Sequence, residues 1–404
     1  MVKPERRTRA DLVAAAAIAV VVAVVAAVVW WTSDARATIS RPAAEPVPAL
    51  KPAVAVPDSL TEKWSARSGK TTQPLVVAGA VVTGDDRTMA GRDPGTGDVV
   101  WTYARDLELC GVTWVYNYAV AVYPDSRGCG QVSTVDAKTG QRGPARTSYA
   151  DRHVTLSGDG STVLSAGDTR LEMWRSDMVR MLSYGALDAP IKPGVPATPL
   201  CRFVSAGASS GSVAVLEACE RQDLRLTLLR PSDEEDVPET KYVQQKGVED
   251  GTGARVVAVT DTYTALYVPT PKPRLDLIDD TGATVDTTIV DAPPSGDATM
   301  SRAGEVITWW TGDALMVFSA NDLRYKYTVA ASGPNAPIGP GTVMAGKLLV
   351  PVTTGYDVFD PDTGKGERHI PVQRPSVDGP VVPAVAGTVV LEQRGDELVA
   401  LAGG

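Results

Sequence analysis

The sequence Asp93-Pro94-Gly95-Thr96-Gly97 is the clearest guide to how this chain folds, because turns of the same kind recur along it. In an Asp-x-x-Thr-Gly turn the Asp side chain accepts hydrogen bonds from amides two or three residues on, and Gly supplies positive φ at little steric cost. Further copies begin at Asp136 and Asp360, and a copy one residue shorter begins at Asp279. The turns are defined by Asp93, Thr96, Gly97, Asp136, Thr139, Gly140, Asp279, Thr281, Gly282, Asp360, Thr363 and Gly364.

The spacing of these turns predicts a repeat. Asp93 and Asp136 are 43 residues apart, Asp136 and Asp279 are 143 apart, and Asp279 and Asp360 are 81 apart. These intervals fit one, three and two steps of a unit of about 40 to 50 residues, which is the length of a four-stranded propeller blade. Degenerate turns stand where the steps require them, at residues 175–177, 231–233 and 319–322.

The two ends of the repeat complement one another. Residues 381–402 begin a further unit but stop where its Asp turn would fall, without an outer strand. Residues 60–65 have no inner strands and are similar to the outer strand 99–102. Closing the ring with this N-terminal strand would remove exposed strand edges. We therefore predict an all-β, eight-bladed β-propeller over residues 59–404, with seven blades as the alternative because the middle units are degenerate.

The repeat turn followed by Trp101 resembles the repeat of the pyrroloquinoline-quinone-type propellers, over roughly residues 59–404. The resemblance implies that Trp101 packs against the neighbouring blade. The family contains quinone-dependent dehydrogenases and non-enzymatic propellers, among them the scaffold lipoprotein of the outer-membrane barrel-assembly machinery.

This chain is similar to the non-enzymatic group. Dehydrogenases of the alcohol-oxidising type carry adjacent cysteines, an Asp base and a calcium-binding Glu and Asn set, which have no counterpart that we can place in this sequence. The chain also departs from the scaffold lipoprotein. Its first cysteine is Cys110, so no lipid-attachment cysteine stands near the N-terminus, and Trp follows the turn only at Trp101 and, by ring closure, at Trp64.

An N-terminal segment has the character of a membrane anchor. Residues 12–31 are uninterrupted apolar residues that end in Trp30 and Trp31, and as a helix they would span about 30 Å, the thickness of a bilayer core. Four basic residues precede the run, and Arg36 alone follows it closely; the four are Lys3, Arg6, Arg7 and Arg9. The positive-inside rule then predicts a cytoplasmic tail at 1–11, a transmembrane helix at 12–31 and an extracytoplasmic remainder.

A cleaved signal peptide is the alternative to a retained anchor. Ala35-Arg36-Ala37 has the small-x-small form of a cleavage site, but the apolar run is longer than the usual signal core. The next segment, completing a linker over 32–58, is rich in proline: Pro42, Pro46, Pro48, Pro52 and Pro57. Because proline fixes φ and lacks a donor, this linker is expected to be an extended spacer or a disordered tether.

Four cysteines fall in two local pairs, Cys110 with Cys129 and Cys201 with Cys219. Three pairings are formally available, and we expect the sequential one, which closes two short loops outside the membrane. Each disulfide would contribute about 3 kcal/mol by constraining the unfolded chain. Two pairs of buried free thiols are the alternative.

Composition and local clusters limit the function. A net charge of −9 disfavours a nucleic-acid surface, which needs a basic face. The charge run Asp233-Glu234-Glu235-Asp236 could bind a cation or a basic partner, but such a run is more often a solvated loop. Trp309-Trp310 and the group Trp114, Tyr116 and Tyr118 could be exposed partner anchors, but the core of a blade explains them better. Residues 190–199 could reach over one face of the propeller or form an idle surface loop, and His153 with Asp151 has no positional support as part of a catalytic triad.

The sequence therefore predicts a single-pass plasma-membrane protein with an extracytoplasmic propeller. No catalytic, cofactor-binding or metal-binding residue is assigned, and no cofactor is expected. We expect a non-catalytic module that binds or scaffolds an envelope protein whose identity the sequence does not give. A sensory propeller that binds a small molecule or glycan is the alternative, and a quinone-dependent oxidoreductase is a more distant one.

Overall fold

The computed structural model describes residues 8–186, 201–220, 222–234, 237–331, 335–375 and 378–403. Helix α1 (Arg9–Thr32) begins at a capping box in which Thr8 and Asp11 satisfy each other's amides. The mean hydropathy of its most apolar window is 3.1, none of that window is buried, and the helix is long enough to cross a membrane. A short helix, α2 (Asp34–Ala37), follows.

The rest of the chain is strand and turn. The first half contains β1 (Ile39–Arg41), β2 (Leu60–Arg67), β3 (Leu75–Val77), β4 (Ala80–Asp85), β5 (Thr88–Arg92), β6 (Val99–Ala104), β7 (Gly111–Val115), β8 (Tyr118–Asp125), β9 (Gly128–Asp136), β10 (Arg142–Thr147), β11 (Thr155–Ser157), β12 (Thr162–Ala166), β13 (Arg170–Arg175), β14 (Arg180–Gly185), β15 (Arg202–Ala208) and β16 (Val213–Ala218).

The second half continues in the same pattern of short strands joined by turns. It contains β17 (Arg225–Arg230), β18 (Glu239–Gln244), β19 (Arg255–Val259), β20 (Tyr263–Val268), β21 (Arg274–Asp279), β22 (Thr284–Ile289), β23 (Thr299–Ala303), β24 (Val306–Trp310), β25 (Leu315–Ser319), β26 (Tyr325–Val329), β27 (Thr342–Met344), β28 (Lys347–Val352), β29 (Gly355–Phe359), β30 (Gly366–Pro371), β31 (Val381–Ala386), β32 (Val389–Arg394) and β33 (Glu397–Gly403).

The described strands form eight antiparallel sheets, numbered here as blades 1 to 8 in the order of their inner strands. The prediction of an all-β, eight-bladed propeller is confirmed, and the seven-bladed alternative is wrong. In blade 8 the outermost strand is β2, which pairs with β33 from Leu60 opposite Gly403 to Arg67 opposite Glu397. The predicted closure of the ring by its N-terminal strand is therefore confirmed, and the degenerate turns at 175–177, 231–233 and 319–322 join the third and fourth strands of blades 3, 4 and 6.

Blade 1 has a fifth strand that the sequence did not indicate. β1 pairs antiparallel with β6, with Ile39 opposite Ala104 and Arg41 opposite Thr102. β6 is the fourth strand of its blade, so β1 covers an edge that would otherwise face solvent. The chain that leaves α1 is thus joined to the ring before the first blade begins.

Burial is greatest in the second and third strands of the blades. The second strand of blade 1, β4, is almost wholly buried, whereas the outer strand of blade 5, β22, is mostly exposed. Apolar side chains of neighbouring blades form the core between them; Tyr267 of blade 5 packs on Trp309 of blade 6 with ring centroids 5.8 Å apart. This packing explains why Val and aromatic residues are common in the inner strands.

The ring has two faces, which we name by their connections. The turn face carries the turns between first and second strands, such as Ala78-Gly79, and between third and fourth strands, such as 93–97. The loop face carries the turns between second and third strands and the loops between blades, such as 105–110.

Candidate interaction surface

The repeat turns lie on the turn face, where each Asp organises the local backbone. Asp93 Oδ1 accepts from the amides of Gly95 at 2.8 Å and Thr96 at 2.9 Å. Asp360 Oδ1 accepts from the amide of Thr363 at 2.9 Å and from its hydroxyl at 2.8 Å, and these bonds hold the pKa of Asp360 below its usual value. The Asp carboxylates therefore stabilise their own turns by hydrogen bonds.

The turns at Asp136 and Asp279 have the same internal bonding. Asp136 Oδ1 accepts from the amide of Thr139 at 2.9 Å, and Asp279 Oδ1 accepts from the hydroxyl of Thr281 at 2.7 Å. The hydroxyl of Thr281 lowers the pKa of Asp279, with a further contribution from the amide of Ala283. Each turn ends in a glycine with positive φ, which only glycine adopts without strain; the values are 79° for Gly97, 70° for Gly140, 85° for Gly282 and 69° for Gly364.

The glycines of the turns lie against outer-strand side chains of the preceding blade. A Cβ added to Gly97 would lie 2.6 Å from the Trp64 ring, and one added to Gly140 would lie 2.5 Å from Trp101 Cβ. The Trp64 indole donates to Pro94 O at 2.9 Å. The repeat turns therefore hold neighbouring blades together through these contacts.

Residues 42–57, here called the strap, lie along the turn face. The amide of Ala43 donates to Thr139 O at 3.0 Å, and the amide of Val47 donates to Lys138 O at 2.8 Å. The side chain of Val47 is only 4% exposed. The strap is thus fastened to the repeat turn of blade 2 by backbone bonds and one buried side chain.

The strap then crosses from blade 1 to blade 8. A Cβ added to Gly79 would lie 2.3 Å from Pro48 O, and one added to Gly387 would lie 3.0 Å from Lys51 O. At its end, the Arg368 guanidinium donates to Val56 O at 2.5 Å. We expected residues 32–58 to be a spacer or a free tether. Residues 39–57 instead contact the ring at several points, through strand β1, the amides of Ala43 and Val47 and the buried side chain of Val47.

Two disulfides lie on the loop face, where the chain enters blades 2 and 4. Cys110 is bonded to Cys129, and Cys201 is bonded to Cys219. In each case the first cysteine directly precedes the first strand of its blade, and the second lies next to the turn between the second and third strands. The described part of the chain contains no free cysteine.

The loop that follows blade 2 packs on one of these stapled turns. The amide of Cys129 donates to Asp151 O at 3.0 Å, and a Cβ on Gly128 would lie 1.9 Å from Ala150 O. This contact presents Tyr149 at the surface, 43% exposed, with the Arg127 guanidinium 4.8 Å from its ring centroid. An exposed Tyr stacked with Arg on a fixed loop has the composition of a binding anchor.

A buried ionic cluster lies between blades 7 and 8. Glu392 is fully buried and accepts from Arg374 at 2.6 Å and from Arg394 Nε at 2.7 Å. The hydroxyl of Tyr356 also donates to Glu392 at 2.6 Å. Burial alone would raise the pKa of Glu392, but the two guanidinium groups outweigh it and the pKa is lowered. The carboxylate is therefore an ionised structural partner.

A similar cluster lies between blades 2 and 3. Glu172 accepts from Arg170 at 2.7 Å, from Arg146 at 3.1 Å and from the Trp174 indole at 2.9 Å. Burial would raise the pKa of Glu172, but the charges of Arg146 and Arg170 lower it. Since the Arg146 side chain also donates to Met178 O at 2.8 Å, the cluster ties two blades together.

A polar groove of about 180 Å³ lies on the turn face between blades 4 and 5. Asp261 there accepts from Ser209 Oγ at 2.6 Å and from the amide of Gly211 at 2.9 Å, and Arg230 bridges Asp261 O and Asp280. Burial would raise the pKa of Asp261, but these hydrogen bonds lower it. The polar groups of the groove mostly bond one another across the blade boundary.

The remaining clusters named from the sequence are dispersed. Trp309 and Trp310 are buried in blade 6, and Tyr116 is exposed on the turn face. Asp151 accepts from the amide and hydroxyl of Thr169, whereas His153 lines a separate recess near Asp168. Within the described residues, no group of three or more His, Cys, Asp or Glu could hold a metal ion. Residues 190–199 and 235–236 lie outside the described residues, whereas Asp233 and Glu234 are exposed, Trp114 and Tyr118 half-buried.

Two features of the structure were missed at the sequence level. The docking of the strap had a weak signal in the apolar residues Val47 and Leu50, which a free tether does not need. Each ionic cluster joins neighbours on one strand, such as Glu392 with Arg394, to a partner that only the fold brings close, such as Arg374.

Comparison with known proteins supports the fold. No family model and no curated protein matches the chain. Among solved structures, BamB from Moraxella catarrhalis is 15% identical with a TM-score of 0.47 and covers 85% of this chain and 97% of its own. Sqt1 from Saccharomyces cerevisiae is 11% identical with a TM-score of 0.52 and covers 87% and 100%. The likeness to Sqt1 supports a β-propeller protein and concerns the fold alone.

Proposed function

We propose that this chain is a single-pass membrane protein whose extracytoplasmic propeller binds envelope proteins without catalysing a reaction. The apolar helix α1 and the basic residues before it support an anchor with a cytoplasmic N-terminus. The two disulfides support an oxidising compartment for the ring.

The observation that carries the proposal is the attachment of the anchor to the ring. Only residues 33–38 separate α1 from β1, and β1 belongs to the sheet of blade 1. Six residues reach about 20 Å when fully extended. The ring is therefore held close to the bilayer by its own fold, which suits a platform for neighbouring membrane or envelope proteins.

The loop face is the surface we assign to the partner. The strap occupies the turn face at blades 1, 2 and 8, whereas on the opposite face the Cys110–Cys129 disulfide fixes the end of the loop that enters blade 2. Preformed loops bind with a smaller entropic cost than loops that must order on binding. Tyr149 with Arg127 is the proposed centre of this surface.

Site-specific photocross-linking of the full-length protein in its native membrane tests the proposal. A photoreactive residue in place of Tyr149 should label one envelope protein reproducibly. The same residue in place of Tyr325, which is similarly exposed at 41% but lies on the outer strand of blade 6, is the matched control. Y149A should reduce co-purification of the labelled protein, and Y325A should not.

Three outcomes would each reject a different part of the proposal. Equal labelling from positions 149 and 325 would remove the loop face as the binding surface. Protection of the ring from protease added to the outside of intact cell membranes would remove the extracytoplasmic orientation. Turnover of a substrate by the purified protein would end the non-catalytic assignment.

A further inference from the structure

The outer strand of blade 5, β22, differs from the outermost strands of the other described sheets. Its sequence, Thr284-Val285-Asp286-Thr287-Thr288-Ile289, contains no Lys, Arg, Glu or Pro. Every other outermost strand contains Lys or Arg, residues that discourage pairing with another strand; these are β1, β2, β10, β14, β18, β26 and β30. β22 is thus the least protected edge of the ring.

The hydrogen-bond pattern shows which groups of β22 face outward. The amide of Val290 donates to Pro273 O at 3.0 Å, so amides two and four residues earlier also point toward β21. By alternation the amides of Thr287 and Ile289 point away from the blade. The amide of Thr287 instead donates to the Asp286 side chain at 2.8 Å, on an exposed surface.

The strand is self-complementary about Thr287. If a second β22 ran antiparallel with Thr287 opposite Thr287, the outward amides and carbonyls of these residues would meet. Val285, at which β22 bulges against β21, would then lie near Ile289 of the other strand. These side chains are 51% and 58% exposed in the single chain, and such apolar cross-strand pairs stabilise a sheet.

We infer that two copies of this chain associate through β22 and form one continuous eight-stranded sheet across a two-fold axis at Thr287. The same mode of pairing already occurs within the chain, where β1 adds antiparallel to the outer strand of blade 1. A two-fold contact of this kind uses the same residues on both copies. The inference does not depend on the proposed envelope partner.

The contact is expected to be weak. A six-residue strand edge buries less area than the 1,200 to 2,000 Å² that is typical of a stable interface. Pairing also requires Asp286 to release the Thr287 amide, and it brings two Asp286 side chains closer together. Asp286 therefore opposes association, and its removal should strengthen the dimer several-fold.

Disulfide trapping of the full-length protein in detergent tests the register. Because the described residues contain no free thiol, T287C adds a single reactive cysteine on the two-fold axis. It should form a covalent dimer under mild oxidation. Y242C, on the outer strand of blade 4 at 51% exposure, is the matched control and should remain monomeric.

Sedimentation of variants without added cysteine provides a second measurement. I289K should weaken self-association about tenfold, because symmetry removes two apolar pairs at once. D286A should strengthen it, and Y242K should leave it unchanged. Equal trapping of T287C and Y242C, or equal sedimentation of I289K and Y242K, would overturn the inference, as would T287C cross-links to another protein only.

Discussion

The Trp101 indole Nε1 donates a hydrogen bond of 2.8 Å to Ala137 O, and the same side chain covers Gly140 of that repeat turn. Trp101 lies on the outer strand of blade 1, and both of its contacts lie on blade 2. The Asp turn and the Trp are therefore two halves of one contact between blades, which explains why both recur at the ring closure, at Gly97 and Trp64.

The first prediction concerns the glycine in this contact. Gly140→Ala places a Cβ 2.5 Å from Trp101 Cβ and 2.9 Å from the strap amide of Ala43. Gly346→Ala is the matched control, because Gly346 has a similar φ of 73° but no neighbour within 4 Å. Both substitutions cost about 1 kcal/mol for the left-handed backbone. Overpacking should add about 2 kcal/mol at Gly140 alone, measured by urea unfolding. Equal losses of stability in the two variants would show that Gly140 is not packed tightly against Trp101.

The second prediction concerns the buried carboxylate of Glu392. Glu392→Gln leaves Arg374 and Arg394 without a negative partner. Such a change lowers the free energy of unfolding by about 3 to 5 kcal/mol. Asp396→Asn is the control, since Asp396 is 71% exposed and lies 3.7 Å from the similarly exposed Arg67. It should cost less than about 1 kcal/mol. A similar loss for both variants in denaturant unfolding would contradict the buried cluster.

The same carboxylate gives a pH dependence with a defined sign. The pKa of Glu392 is lower in the folded protein than in the unfolded chain, so the folded state binds its proton less readily. The carboxylate's contribution to the free energy of unfolding is therefore present above the pKa of about 4.3 in the unfolded chain. It is lost as the pH falls through the lower pKa of Glu392 in the folded protein. The wild type should therefore lose more stability than E392Q on acidification below pH 4. Parallel loss in both proteins would assign the acid sensitivity to other groups.

The sequence was sufficient to predict the fold because its signals are local and repeated. The carboxylates of Asp93, Asp136, Asp279 and Asp360 accept hydrogen bonds from groups of their own turns, so the spacing of these residues reports the blades directly. The ring closure followed from the similarity of residues 60–65 to the outer strand at 99–102. These are short-range rules that a single sequence displays.

The surface was less predictable because its contacts are long-range. The prolines of the strap indicated an extended chain, but extension is equally compatible with a free tether and with a docked segment. Docking depends on Val47 meeting Lys138, which no local pattern encodes. Likewise, Tyr149 is presented by a loop that packs on Gly128, and only the fold brings these residues together.

The strap supplies the third prediction. Val47→Ala should cost about 2 kcal/mol, because Val47 is 4% exposed. Val54→Ala in the same strap should cost almost nothing, since Val54 is 98% exposed. Hydrogen exchange of the full-length protein should show protected amides at Ala43 and Val47. Rapid hydrogen exchange at both amides, together with equal stability losses in V47A and V54A, would show that the strap is a free tether.

The disulfides supply the fourth prediction, in which each pair is the control for the other. C110S/C129S and C201S/C219S remove bridges of similar sequence separation, 19 and 18 residues, and each should cost about 3 kcal/mol in urea unfolding. Only the first should accelerate hydrogen exchange at residues 148–151, because that loop bonds to Cys129 and packs on Gly128. If both double variants loosen this loop equally, then the loop is ordered by the stability of the whole ring and Tyr149 is not held by its own staple.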